Sequence, residues 1–232
     1  MDPEDYWRPH QLESDASYFV AEVQRFRSMW QGTRTPRALD VGAGLGKAMK
    51  ALDDQGFDTY GLEPSASFRD LAVSRGIAED RIKLAALEDA EYDPQTFDFV
   101  TFGAVLEHLH DPAIAIERAL GWLAAGGLVQ LEVPSSRWLI ARLLNGLYRA
   151  QGLDYVTNLS PMHPPYHLYE FTVKSFEEHS KRAGYEVAYH RYYAGETFLP
   201  SFADVAAQRL MDATRTGMQL EVWLRARGSS PQ

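Results

Sequence analysis

The sequence predicts an α/β fold, doubly wound around a mostly parallel sheet, and three observations carry that prediction. Between residues 38 and 133, short apolar runs of strand length take turns with segments of helix length. The first run, Leu39 to Val41, opens directly into a glycine turn, with LDVGAGLGK spanning Leu39 to Lys47. The chain has 232 residues of which 45% are hydrophobic, enough to pack a core, and it reads as a single domain over 1–232.

Each element has its own local signal. In the N-terminal helical segment, 1–34, Phe19, Val20, Val23, Phe26 and Trp30 recur at helical spacing, so a helix is expected from Asp15 to Trp30. Ala38 to Val41 is a short buried strand, and a helix follows over 47–54. DTYGLEP is the second strand, followed by a helix over 65–74, and RIKLAAL is the third strand. FDFVTFG, rich in β-branched and aromatic residues, is the fourth. Asp111-Pro112 supplies an N-cap and a proline at the first helical position, and that helix is expected to run to Ala125, where Gly126-Gly127 ends it. LVQLEVP is the fifth strand.

The rhythm changes after residue 134. Trp138 to Arg149 is amphipathic, with Leu139, Leu143, Leu144 and Leu147 set against Arg142, Asn145 and Arg149. Its commonest explanation is a lid or a homodimer helix; a membrane-surface helix is the rarer one. Ser175 with Glu178 fits a capping box for a helix stopping at Gly184. YEVAYHRYY is a strand and a helix follows over 202–211. The alternation in MQLEVWLRAR suits a half-exposed or edge strand.

Composition excludes several functions. Net charge is −9, and an acidic chain repels phosphate backbones, so no nucleic-acid partner is expected. Without cysteine there is no disulfide, thiolate metal site or cysteine nucleophile. The opening MDPEDYWRPHQ lacks the basic head and apolar core of a leader, and no run of about 18 apolar residues occurs, so neither export nor membrane insertion is expected. A cytoplasmic location fits these features.

The glycine turn discriminates among ligands. A Walker loop fails because Ala48 follows Gly46-Lys47 where a hydroxyl is needed. A dinucleotide turn is short of its third small residue, because that position is Lys47. What stands is Asp40, Gly42, Gly44 and Gly46, with a second acid, Glu63, ending the second strand. Carboxylates repel pyrophosphate and suit a cation. S-adenosylmethionine carries an ammonium and a sulfonium and no phosphate, and glycines let the main chain approach it closely. The bland alternative is a tight bend flanked by two solvated acids.

Residues 37–134 resemble the class I S-adenosylmethionine-dependent methyltransferases. The resemblance rests on LDVGAGLG, YGLEP, FDFVTFGAVLEHLHDP and LAAGGLVQLEVP in that order. PPYHLYEFTVKSFEEHSKRAGYEV is similar to the later part of the small-molecule subgroup, including quinone-precursor O-methyltransferases. It implies a seven-stranded sheet with the last strand antiparallel. It also implies that Asp40 and the turn Gly42, Gly44, Gly46 hold the methionine moiety and Glu63 the ribose. Leu87 and Glu88 would bracket and bond the adenine, and the backbone of Gly103 and Ala104 would approach the methionine end. S-adenosylhomocysteine would be the product.

Methyl transfer to oxygen needs a proton removed, and histidine suits that near neutral pH. His108, in LEHLH, reads as a base, as a metal ligand beside Glu107, or as a helix-start contact. Some quinone-type relatives carry another acid three residues before that Glu-His pair; here the place is Ala104. In MHPPYHLYE, His163 and His167 are further candidate bases. Their H-x3-H spacing imitates a zinc pair, but Pro164 and Pro165 forbid the helix that would face both rings one way, so no metal site is expected from them. A loop so dense in aromatics and histidine reads as the wall of an acceptor pocket, and 135–170 as a lid or acceptor-pocket insertion; a rigid crossover docking on the sheet is the bland alternative. Tyr6 and Trp7 in the leading segment are placed over the cofactor by the same resemblance. The expected activity is transfer to a small-molecule acceptor, at oxygen. N-methylation, a non-catalytic cofactor-binding module and a nicotinamide dehydrogenase are the rivals.

Overall fold

The computed structural model describes residues 19–160, 166–194 and 201–228. Among them, seven strands form one mostly parallel sheet in the order β3-β2-β1-β4-β5-β7-β6. The strands are β1 (Arg37–Val41), β2 (Asp58–Glu63), β3 (Ile82–Leu84), β4 (Phe97–Gly103), β5 (Leu123–Pro134), β6 (Tyr185–Tyr193) and β7 (Gln219–Ala226). The helices are α1 (Val20–Met29), α2 (Lys47–Asp54), α3 (Ala66–Ser74), α4 (Pro112–Trp122), α5 (Leu139–Ala150), α6 (Val173–Ala183) and α7 (Ser201–Thr214). No helix among the described residues is long and apolar enough to cross a membrane.

The chain divides into two compact units. One comprises Met1–Gly103, Ala115–Val129 and Arg225–Gln232; the other comprises Ala104–Ile114 and Gln130–Leu224.

In the first unit, β1 runs parallel to both β2 and β4, with Asp40 opposite Gly61 on one side and Thr101 on the other. β2 and β3 are parallel as well. Burial on both faces explains why β1 and β4 read as continuous apolar runs, whereas β3 buries only Ile82. Phe26 of α1 sits in an aromatic cluster with Phe57 and Phe99, at ring separations of 5.3 and 5.1 Å. Of the predicted apolar stripe, Val23 and Phe26 are fully covered. The described helix starts at Val20, and 15–18 lie outside the described residues. The third strand is shorter than the sequence suggests: after Leu84 the chain leaves the ladder and makes a 3-10 turn over Leu87–Asp89.

The end of α4 differs from expectation. The helix stops at Trp122, and Gly126-Gly127 lies inside β5 instead of closing the helix. The glycines serve the strand. Gly126 adopts φ 76°, and a Cβ on Gly127 would stand 3.0 Å from the Asp98 carbonyl oxygen. At the other end of α4, Asp111 caps as expected, its Oδ1 accepting from the N–H groups of Ala113 and Ile114 at 3.0 Å each.

In the second unit, three sequence expectations are corrected. β7 is an interior strand between β5 and β6, with five consecutive buried residues. Its alternation misleads because Glu221 is buried with partners, Arg191 Nε and Trp223 Nε1, both donating to its carboxylate. The capping box of α6 is Thr172 with Ser175, because the helix starts at Val173; Glu178 pairs with Lys181 on the surface instead. Replacing Thr172 with alanine should therefore cost about 1 kcal/mol, read as a lowered urea midpoint, while Glu178→Ala leaves that midpoint in place. On α5, Ala141 is the buried residue, while Leu143 and Leu147 face solvent at 66% and 52% exposure. Finally, α7 extends to Thr214, past the expected end at Met211.

Candidate active site

The ends of β1 and β2 bring together the residues that the sequence assigns to a cofactor in the first unit. Asp40 is the fourth residue of β1 and is 5% exposed. The chain then turns back on β2, with the N–H groups of Gly42 and Ala43 both donating to the Leu62 carbonyl at 2.7 and 3.0 Å. Gly42, Gly44 and Gly46 all take positive φ, at 73°, 54° and 77°. Gly46 is held by space as well as by its dihedral: a Cβ there would lie 2.6 Å from Ile77 Cγ1.

Glu63 fastens this turn. Its Oε2 accepts from the Gly44 N–H and its Oε1 from the Ser65 N–H, each at 2.8 Å. These bonds preorganise the loop, and the remaining lone pairs stay available for hydroxyl donors such as those of a ribose. Burial first, and then the neighbouring Glu63 carboxylate, raise the Asp40 pKa to about 7. Glu63 is itself raised by burial, opposed by its two backbone bonds. Two buried acids, one of them raised by the charge of the other, favour a ligand that brings positive charge.

Leu87 is buried in its 3-10 turn, whereas Glu88 beside it is exposed. Gly103 ends β4 and is exposed. One contributor that sequence reasoning missed is Gly61. A Cβ at that position would meet Met49 Sδ at 2.4 Å and Ala43 Cβ at 3.0 Å. The close helix–strand approach that dinucleotide turns obtain from a third glycine is obtained here from a glycine on the neighbouring strand. The signal was present in YGLEP, a glycine inside an otherwise apolar strand.

The second unit contains the histidines. Ala104 takes φ 54°, a left-handed conformation uncommon for alanine, and its N–H donates to the Glu132 carbonyl at 3.0 Å. A 3-10 turn over Leu106–His108 follows. Glu107 is 1% exposed, and its Oε2 has no hydrogen-bond partner among the described residues. Burial, chiefly, together with the charge of Glu132, raises its pKa to about 7. The segment before α6 docks against this turn. The Leu168 N–H donates to the Glu107 carbonyl at 2.9 Å, and the Tyr169 hydroxyl donates to the His110 carbonyl at 3.0 Å.

That docking brings His167 to His108, with ring centroids 4.9 Å apart. Each imidazole is oriented by a backbone carbonyl. His108 Nδ1 lies 3.0 Å from the Tyr166 oxygen, and His167 Nδ1 lies 3.1 Å from the Asn158 oxygen. A carbonyl only accepts, so Nδ1 carries the proton on both rings, and in the neutral form Nε2 carries the lone pair. Asn158 also donates to Glu170 Oε1 at 3.0 Å, tying the loop back on itself. Glu107, His108 and His167 each present a ligand atom, all within 4.8 Å of one another, and are the residues that could hold a metal ion. The sequence offers His163 and His167 as separate candidate bases; the structure brings His167 to His108, and His163 lies outside the described residues, as do Tyr6 and Trp7.

Comparison with known proteins identifies the family. The family described as a methyltransferase domain matches residues 9–190. The chain belongs to the class I S-adenosylmethionine-dependent methyltransferases. The ubiquinone biosynthesis O-methyltransferase of Pseudomonas aeruginosa is 33% identical over 134 residues, covering 56% of this chain and 56% of that one. The protein of the same name from Aliivibrio fischeri is 34% identical over 97 residues, covering 40% and 42%. The chain thus spans about half the length of these relatives. Among solved structures, a Haloferax volcanii methyltransferase in complex with the Trm112 activator superimposes with a TM-score of 0.65 at 16% identity, covering 100% of this chain and 98% of that one. A Mesorhizobium loti S-adenosylmethionine-dependent methyltransferase gives 0.58 at 19% identity, covering 89% and 98%. Those identities speak for the fold. S-adenosylmethionine is the cofactor of this methyltransferase family, and the acids at the ends of β1 and β2 fit its charge.

Proposed function

We propose that this methyltransferase transfers the methyl group of S-adenosylmethionine to a hydroxyl oxygen of a small molecule. The observation that carries the oxygen assignment is the pair of imidazoles whose Nδ1 atoms are both committed to backbone carbonyls. An imidazole nitrogen can accept the proton of a hydroxyl, and an amine that is already neutral needs no such acceptor before the displacement. The name shared by the Pseudomonas and Aliivibrio relatives supports the same reading.

The reaction is a displacement. The acceptor oxygen forms a bond to the methyl carbon, the carbon–sulfur bond breaks, and its electron pair stays on sulfur as S-adenosylhomocysteine. The hydroxyl proton passes to an imidazole Nε2. Because the sulfonium is already a good leaving group, the protein's task is to align the oxygen, take its proton and exclude water. Asp40 and the glycine turn would hold the methionine end, Glu63 the ribose, Leu87 and Glu88 the adenine, and the Gly103–Ala104 backbone the reacting end.

The test is a methyl-transfer screen with radiolabelled cofactor against matched phenols, catechols and amines. The reading expects label in the hydroxyl compounds and S-adenosylhomocysteine in equal amount. Label confined to amines would overturn the oxygen assignment.

A further inference from the structure

One side of α5 is an apolar face that the described residues leave uncovered. We propose that this face is a homodimer interface, on which α5 of a second copy of the chain packs antiparallel across a two-fold axis.

The face follows from the burial pattern. Ala141 is the buried residue of α5, whereas Leu143, Gly146, Leu147 and Ala150 are exposed. Those four lie at i, i+3, i+4 and i+7, the spacing with which one helix packs on another. The helix end extends the stripe. The Gly152 N–H donates to the Arg149 carbonyl at 3.0 Å and the Leu153 N–H to the Tyr148 carbonyl at 2.9 Å, with Gly152 at φ 74°. This closure turns the chain back at Leu153, which stays 39% exposed. The Thr157 N–H donates to Asn145 Oδ1 at 2.8 Å, so the loop after α5 is tied to the helix and the stripe is formed before any partner arrives.

Gly146 allows close approach. A Cβ there would meet nothing within 4 Å, so no neighbour among the described residues requires a glycine. Glycine inside a helix is destabilising relative to alanine. A bare position between exposed leucines lets the backbone of a second helix come near while its side chains fill the groove.

Charge selects the occupant. Arg142 lies at one end of the stripe and Asp154 just past the other; both are exposed, and neither has an ion-pair partner among the described residues. An antiparallel pair centred on Tyr148 sets Arg142 beside Asp154, Leu143 beside Leu153 and Gly146 beside Ala150 across the axis, each twice by symmetry. A parallel pair would set like charges together. An anionic lipid surface would attract Arg142 and Arg149, but it would repel Asp154 and gain nothing from Gly146.

Sedimentation velocity of the full chain from about 1 to 100 µM tests the interface, since a contact centred on one helix predicts a dissociation constant of roughly micromolar order. Far-UV circular dichroism reports that each variant is folded. Leu143→Glu and Gly146→Leu should each weaken the dimer at least about tenfold. Gly121→Leu, at an equally open glycine in α4, should leave it unchanged. Arg142→Asp and Asp154→Arg should each weaken it a few-fold, and the double variant should recover the wild-type affinity. A monomer at every concentration would overturn the proposal, and co-sedimentation of that monomer with phosphatidylglycerol vesicles would give the face to a lipid surface instead. A dimer indifferent to Leu143→Glu and Gly146→Leu would overturn the choice of face, and a double variant no tighter than the single ones would overturn the antiparallel register.

Discussion

Replacing Asp40 with asparagine should weaken S-adenosylmethionine binding by about 1–3 kcal/mol, roughly five- to more than a hundredfold, and remove most of its pH dependence. The reason is charge. In the free protein, burial and the neighbouring Glu63 hold the Asp40 pKa at about 7, so below neutrality the carboxyl is largely protonated and neutral. A cationic cofactor binds the ionised form, so binding releases a proton. Wild-type affinity should rise about tenfold per pH unit as pH climbs toward 7 and level off above it. Stability runs the other way. Between the ordinary carboxyl value of 3.8 and about 7 the folded free protein binds more protons at Asp40 than the unfolded chain does. The contribution of Asp40 to stability is therefore greatest below 3.8 and is lost as pH rises through that window. The Asp40→Asn protein should lack this loss and, without cofactor, should be no less stable than wild type at pH 8. Calorimetry at pH 6, 7 and 8 in buffers of different ionisation heat measures affinity and proton release together. Affinity that is flat with pH in wild type would show that Asp40 does not meet the cation.

The second large effect is expected at the histidines. His108→Ala should lower kcat by about 10²- to 10⁴-fold, the usual range for loss of a positioned proton acceptor, with the affinity for S-adenosylmethionine unchanged. The separation follows from the assigned tasks: Asp40 and Glu63 are assigned to the cofactor and His108 to the acceptor proton. His167→Ala should act in the same direction, since its ring stands 4.9 Å from that of His108 with the same tautomer imposed from behind. Steady-state kinetics with a responsive acceptor, with His110→Ala as the control, reads this out. A His108→Ala enzyme within a few-fold of wild type would place the chemistry elsewhere.

Much of this was legible because the cofactor half of the molecule is local. The glycine turn, the strand before it and Glu63 lie within one strand–helix–strand stretch, so spacing alone predicts that they meet. Burial of β1 and β4 on both faces made them stand out as apolar runs. The failures have common physical causes. Glu221 looked like a solvent-facing residue of an edge strand because a sequence does not reveal Arg191 and Trp223 as its buried partners. Thr172 was overlooked as the cap because its box partner is Ser175, an unusual residue for that role, while Glu178 offered the more familiar pattern. Gly126-Gly127 looked like a helix stop because glycine serves bulged or crowded strands and helix ends alike.

The active site outside the cofactor turn was half legible. His108 and His167 were each singled out for their residue type and surroundings. Their meeting was not visible, because it depends on the segment around Leu168 docking by main chain onto the turn at Glu107. Backbone-mediated docking leaves no side-chain pattern. The same holds for the fixed tautomers, which come from the carbonyls of Tyr166 and Asn158. Asn158 does leave a trace, since asparagine tolerates the left-handed φ of 74° that it adopts there.

The most direct measurement is a crystal structure of the protein soaked in S-adenosylhomocysteine. The account predicts the nucleoside lying along the turn from Asp40 to Gly46, its ammonium at the Asp40 side and its ribose hydroxyls at Glu63. A soaked crystal with no density on that turn, or with a pyrophosphate group of an added dinucleotide resting there instead, would contradict it.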